Sequence, residues 1–211
     1  MDKVVCDHLL LKLSYEAVKS DLATNLGNGP SFLSEFGVCA FKLNDTSSDL
    51  DNETDQYNYE ECDAVLNEND KYLLSWTYWD SNFYLSDKRT VNKQLVNRFG
   101  RVYPLATNGV PKSMRYNVTS REFKYVYEID LSAMDQAYIQ TEIFIPPHVY
   151  PNGFSVQLST HLTWSYNSNT NILYIGLSDP TLRRLEKLNQ RRSFGFKSES
   201  RVWLKSNDSN I

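Results

Sequence analysis

Nowhere in the 211 residues does an apolar run reach the ~18 residues that a membrane-spanning helix needs. The opening Met1–Leu13 stretch has too short an apolar core for a signal peptide, so no export signal is visible in this chain. No block of one charge sign occurs and the formal net charge is only −4, which removes the electrostatic footprint of a nucleic-acid partner. Cys-x-x-Cys spacing is missing, and His8, His148 and His161 are far apart with no His-x-x-x-His or Glu-x-x-His arrangement, so no metal site is expected. Glycine-rich phosphate loops and the Gly-x-Ser-x-Gly elbow are also missing, Ser34 included, and nothing in the sequence asks for a cofactor. There is no internal repeat.

What is present is a chain that buries a core: 41% of its residues are hydrophobic and 13% aromatic, enough for one large or two small domains. Asn44, Asn52, Asn117 and Asn207 each open an Asn-x-Ser/Thr acceptor for N-glycosylation, a pattern that matters only in the secretory pathway. Cys39 and Cys62 flank a polar loop, which favours a disulfide closing that loop, with Cys6 free or paired outside the chain; three reduced thiols are the alternative.

Read in order, Ser14–Leu26 has the spacing of a short amphipathic helix, and Pro30–Gly37 sets a lone carboxylate, Glu35, at the end of a brief strand. Leu43–Asn58 is a polar surface loop, Tyr59–Asn67 a second helix, and Tyr72–Trp79 a strand apolar enough to be buried on both faces. Helix, strand, helix, strand is the grammar of an α/β barrel. Beyond a boundary near Arg101–Gly109 the pattern changes to short β runs at Phe123–Ile129, Tyr138–Ile145, Phe154–Leu158, Leu162–Tyr166 and Asn171–Leu177, the spacing of an antiparallel sandwich. Residues 1–100, 101–180 and 181–211 thus divide into an α/β part, an all-β part and an unassigned tail with a helical stretch at Thr181–Arg191.

Four motifs in order, Leu33-Ser-Glu-Phe-Gly37, Tyr72-Leu-Leu-Ser-Trp-Thr-Tyr-Trp79, Arg101-Val-Tyr-Pro104 and Thr141-Glu-Ile-Phe-Ile-Pro-Pro-His-Val-Tyr-Pro-Asn-Gly153, resemble the C-terminal part of an endoglycoceramidase, a glycoside hydrolase of family 5. The resemblance implies the last strands of a (β/α)8 barrel, strands seven and eight, followed by the family's C-terminal β-sandwich. It also implies a glycosphingolipid substrate cleaved between oligosaccharide and ceramide, a peripheral membrane surface, and a secreted or lysosomal full-length parent. On this resemblance Glu35 is the catalytic nucleophile and Trp76 the floor of the sugar subsite, with Tyr78 beside it among the substrate-binding residues. Trp79 is assigned to the core, and Phe83 and Tyr84 either line a channel for a lipid chain or simply pack.

The departure from the family pattern concerns the partner of Glu35. A retaining glycosidase needs a second carboxyl about 5 Å from the nucleophile as acid/base, and the family carries it on the fourth barrel strand, ahead of the matched region. Asp80, Asp87 and Glu61 have no spacing that sets them opposite Glu35. The isolated chain is therefore expected not to turn over substrate, and its first ~80 residues to be aggregation-prone because unfilled barrel faces are left open. A rival reading makes the sandwich a non-catalytic carbohydrate- or membrane-surface-binding module.

Overall fold

The computed structural model describes residues 3–25, 27, 29–37, 41–42, 57–79, 83–84, 89–130, 139–189 and 197–208. The chain divides into two compact units, Met1–Phe99 and Gly100–Ile211.

The first unit is α/β. Helix α1 (Lys3–Asn25) is followed by strand β1 (Phe32–Gly37), a two-residue pair β2 (Phe41–Lys42) and β3 (Tyr57–Asn58), helix α2 (Glu60–Tyr72), strand β4 (Ser75–Trp79) and helix α3 (Lys93–Phe99). Asn58 Oδ1 accepts the Glu60 amide at 2.8 Å, and Glu60, Glu61 and Asp63 place negative charge in the first turn of α2, where the helix dipole favours it. Leu73 ends α2 in the left-handed region at φ 57° and returns its N–H to the last carbonyls. The helix thus takes the start of the stretch expected to be strand. β4 is not buried on both faces: Trp76 and Tyr78 are half-buried while Ser75, Thr77 and Trp79 are exposed.

β1 and β4 run parallel, with Leu33 beside Trp76, Phe36 beside Tyr78 and Gly37 beside Trp79, and a bulge between Leu33 and Phe36. One face of this pair is covered. Phe36, Tyr78, Phe83 and Phe99 pack against buried Tyr59, Cys62 and Leu95, with the Tyr78 and Phe99 rings 4.4 Å apart. α1 joins the unit through Tyr15, which stacks on Tyr72 and donates to Asn69 Oδ1 at 3.1 Å. Its helix starts earlier than the apolar spacing predicts, and Leu9, Leu10, Leu13 and Val18 are all exposed, as is Phe32 on β1.

Parallel sheets are stable when both faces and both edges are covered. A two-stranded one with exposed Phe32, Trp79 and helix leucines is a weakly protected unit. Limited proteolysis is expected to cut residues 1–99 before residues 100–208, read as a resistant C-terminal fragment; a resistant N-terminal fragment would contradict this.

The second unit is a sandwich of two four-stranded antiparallel sheets. Its strands are β5 (Tyr103–Ala106), β6 (Val110–Asn117), β7 (Glu122–Asp130), β8 (Thr141–Phe144), β9 (Phe154–Leu158), β10 (Leu162–Asn167), β11 (Ile172–Leu177) and β12 (Lys197–Ser206), with helix α4 (Asp179–Asn189) between the last two. Their order is β10-β11-β8-β5 in one sheet and β6-β7-β12-β9 in the other. Inward positions alternate along β7: Phe123, Tyr125, Tyr127 and Ile129 are buried, and their aromatic rings stack along the strand. Val202 and Leu204 on β12 lie beside them in the same sheet, and Ile143, Leu173 and Ile175 of the other sheet are buried with them in the core. Gly109, at φ 127°, turns the chain from one sheet to the other, and a Cβ there would sit 2.1 Å from the Glu128 carbonyl oxygen, so only glycine fits. The last strand, left unassigned by the sequence, lies inside the second sheet between β7 and β9.

Candidate functional site

The strand geometry around Glu35 decides which side chains share a face with it. Residues two apart on a strand point the same way, so Glu35 and Gly37 share a face, and Gly37 pairs with Trp79. Glu35 and Trp79 therefore stand on the open face of the β1–β4 pair, at the C-terminal ends of both strands. Trp79 is 62% exposed, which overturns its assignment to the core. Gly37 makes the juxtaposition possible, since a Cβ there would meet the Trp79 carbonyl oxygen at 1.6 Å. Thr77, on the same face, donates its hydroxyl to the Ser34 carbonyl and ties the bulge below Glu35 to β4. Among the described residues Glu35 is exposed and forms no hydrogen bond or ion pair.

Trp76 and Tyr78 lie on the opposite face. Trp76 packs edge-on against Phe36 and Phe99 at ring distances of 5.6 and 5.7 Å, and Tyr78 sits among Phe36, Phe83 and Phe99. Phe83 belongs to the same cluster, while Tyr84 is exposed and bridges to Val91. Of the other carboxylates considered, Glu61 is exposed in the first turn of α2, whereas Asp80 and Asp87 lie outside the described residues. Cys62 is buried and disulfide-bonded; Cys39 and the side chain of Cys6 lie outside the described residues, as do Asn44, Asn52 and the His8 side chain. Asp63, one residue on, is held by Arg98 at 2.6 Å, fixing α3 to α2 behind the strands.

In the second unit the buried polar groups form a relay across the sandwich. His161 Nε2 lies 2.9 Å from the hydroxyl of buried Ser200, Tyr127 bonds to both Ser200 and Thr141, and Thr141 Oγ1 accepts the Asn108 amide at 3.0 Å. Tyr125, buried and bonded to Thr107, is pushed up to about 12 by that burial. Among the described residues no group of His, Cys, Asp and Glu is arranged to hold a metal.

Burial pushes the His161 imidazole below its ordinary pKa, and it does the same to His148, opposed there by a hydrogen bond to the Gly100 backbone. A histidine whose folded pKa is depressed adds stability that is complete above its unfolded value of about 6.5 and is lost as pH falls through that value. The thermal midpoint of the sandwich is accordingly expected to fall between pH 7.5 and pH 5, and His161→Gln to flatten that slope. A midpoint independent of pH over this range would refute the assignment.

The architecture defines a class before any individual likeness does. Residues 101–184 match the family description "Glycoside hydrolase family 5 C-terminal domain", so the sandwich is similar to the domain that closes family 5 enzymes, and the parallel α/β unit before it has the fold of the last part of a (β/α)8 barrel. Among solved structures the chain is similar to endo-glycoceramidase II from Rhodococcus sp. in its lactosyl-enzyme intermediate, at 16% identity and a TM-score of 0.59, over 94% of this chain and 38% of that one. It is also similar to Cryptococcus neoformans sterylglucosidase 1, at 15% identity and a TM-score of 0.50, over 71% of this chain and 24% of that one. The chain therefore resembles the C-terminal part of an endoglycoceramidase-like family 5 enzyme and spans well under half of either neighbour. No curated protein sequence matches it.

Proposed function

We propose that this chain is the nucleophile-bearing part of a retaining glycosidase acting on glycolipids. Glu35 is the nucleophile and Trp79, in place of Trp76, the sugar platform. The observation that carries the reading is the position of Glu35: an exposed carboxylate at the C-terminal end of a parallel strand, beside an exposed indole, in the α/β unit directly ahead of a family 5 C-terminal domain. Barrel enzymes gather their catalytic groups at that end of the strands.

In the reaction a Glu35 oxygen attacks the anomeric carbon as the bond to the aglycone oxygen breaks, giving a glycosyl ester that water then hydrolyses. The apolar face of the sugar lies on the Trp79 ring. The leaving oxygen takes a proton from a second carboxyl about 5 Å away, a role that no described carboxylate fills by contact with Glu35.

The substrate we infer is a glycosylceramide, cut between oligosaccharide and ceramide. Support comes from the names endo-glycoceramidase and sterylglucosidase, both of which denote enzymes of lipid glycosides. A secretory or lysosomal route, glycosylation and contact with a membrane surface belong to the same proposal. No described helix is long and apolar enough to cross a membrane.

An activated glycoside tests the nucleophile without requiring the acid, because a dinitrophenolate leaves unprotonated. A 2,4-dinitrophenyl 2-deoxy-2-fluoro-glycoside is expected to release one equivalent of dinitrophenolate and label the peptide bearing Glu35, while Glu35→Gln takes no label. An unlabelled wild-type chain, or label on another residue, overturns the reading. Unactivated fluorescent glycosphingolipid is expected to stay intact with the isolated chain. The confinement of the family match to residues 101–184 favours a second reading, a sandwich that binds glycolipid surfaces without catalysis; binding to glycolipid vesicles with no label on Glu35 would select it.

A further inference from the structure

We propose that Asn117 is an N-linked glycosylation site whose occupancy the fold accommodates, and that Asn207 is left unmodified. The inference rests on the secretory route above but not on the assignment of Glu35. Asn117 is exposed and is the last residue of β6, the edge strand of its sheet, and Val118–Arg121 form the turn into β7. Its Oδ1 accepts the amides of Thr119 at 2.9 Å and Ser120 at 2.8 Å, so the carboxamide oxygen is engaged while Nδ2 has no hydrogen-bond partner among the described residues. Thr119, which completes the acceptor triplet, is exposed as well. A glycan leaving Nδ2 at this point extends past the end of the sheet and shields an unpaired strand edge from other chains.

Asn207 is exposed too, but its carboxamide and the residue after it are packed against neighbouring turns. Its N–H donates to the Gly153 carbonyl at 3.2 Å, and its Nδ2 lies against Gly153, 3.1 Å from where a Cβ would stand. The middle residue of its triplet, Asp208, accepts from Asn152 at 2.6 Å, from Ser206 at 2.7 Å and from Arg121 at 3.2 Å. These contacts tie the end of β12 to the turns at 121 and 152, and a glycan on Asn207 would have to leave from an Nδ2 packed against Gly153 in that anchored corner.

The transfer balances without a redox partner: the Asn117 amide nitrogen attacks the anomeric carbon of a lipid-linked oligosaccharide pyrophosphate, the carbon–oxygen bond to the pyrophosphate breaks with its electrons on the leaving group, and the amide loses one proton. Expression of the full 211-residue chain behind a cleavable signal peptide in a eukaryotic host tests this, with peptides mapped from secreted and microsomal pools together. The expected result is a glycan on the Asn117 peptide, removed by peptide N-glycosidase with conversion of Asn117 to Asp, and an unmodified Asn207 peptide. Asn117→Gln and Thr119→Ala should each remove one glycan, and Thr119→Ser should keep it. An unmodified Asn117 peptide in both pools, or a glycan count unchanged by Thr119→Ala, overturns the proposal.

Discussion

Trp79→Ala should slow covalent labelling of Glu35 by an activated glycoside about ten- to hundredfold, the loss expected when an aromatic platform worth roughly 1.5–3 kcal/mol is removed from a sugar. The same change should leave thermal stability nearly untouched, because a largely exposed side chain contributes little to folding. Trp76→Ala should do the reverse. Its ring packs against Phe36 and Phe99, so truncation opens a hole in the cluster that joins the strands to α2 and α3, at a cost of about 3 kcal/mol. Labelling should survive in whatever fraction stays folded. Comparing labelling rates with melting curves for the two variants separates the roles. A Trp76→Ala chain that stays folded and loses label would return the platform to Trp76.

The alternation along Ser75–Trp79 was legible in the sequence; which parity faces the site was not. That choice depends on what covers the strand, and the cover comes from Tyr59 and Cys62 at the start of α2 and from Leu95 and Phe99 on α3, well outside the strand itself. Phe99 belongs to a seven-residue helix, α3, too short to leave a periodic signal. Strands with clean alternation, such as β9 at Phe154–Leu158 and β11 at Ile172–Leu177, were readable to within a residue. Two edge strands were not: β5 and β6 carry Pro104 and Pro111, tolerated because each lies at the margin of its sheet, and those prolines hide the β pattern. Glu35 was visible because glycines and a proline punctuate its strand. The bulge beneath it was not, since a register shift has no local signature.

The residues least legible as structure carry the second large expectation. A chain ending at Arg184, where the family match stops, should fail to fold its sandwich, whereas residues 100–211 should give a cooperative transition. β12 pairs with β7 from Lys197 to Leu204 and with β9 from Val202 to Ser206, so its removal strips the shared partner from both. Their backbone amides and carbonyls lose that ladder, and the inward faces of Val202 and Leu204 leave the core against Tyr125 and Phe123. Burying those two side chains alone is worth about 1.5–3 kcal/mol each, a large share of the 5–15 kcal/mol that holds a typical domain together. The polar alternation of Lys197, Glu199, Arg201 and Lys205 on the outer face, with Ser198 and Ser200 facing in, makes the strand look like a solvated tail. Ser200 is instead the partner of His161 and Tyr127 in the buried relay. Loss of cooperative unfolding in the shortened chain, read by circular dichroism against the full unit, is the expected outcome; a sandwich that melts normally without β12 would mean that β7 and β9 hold their places by core packing alone.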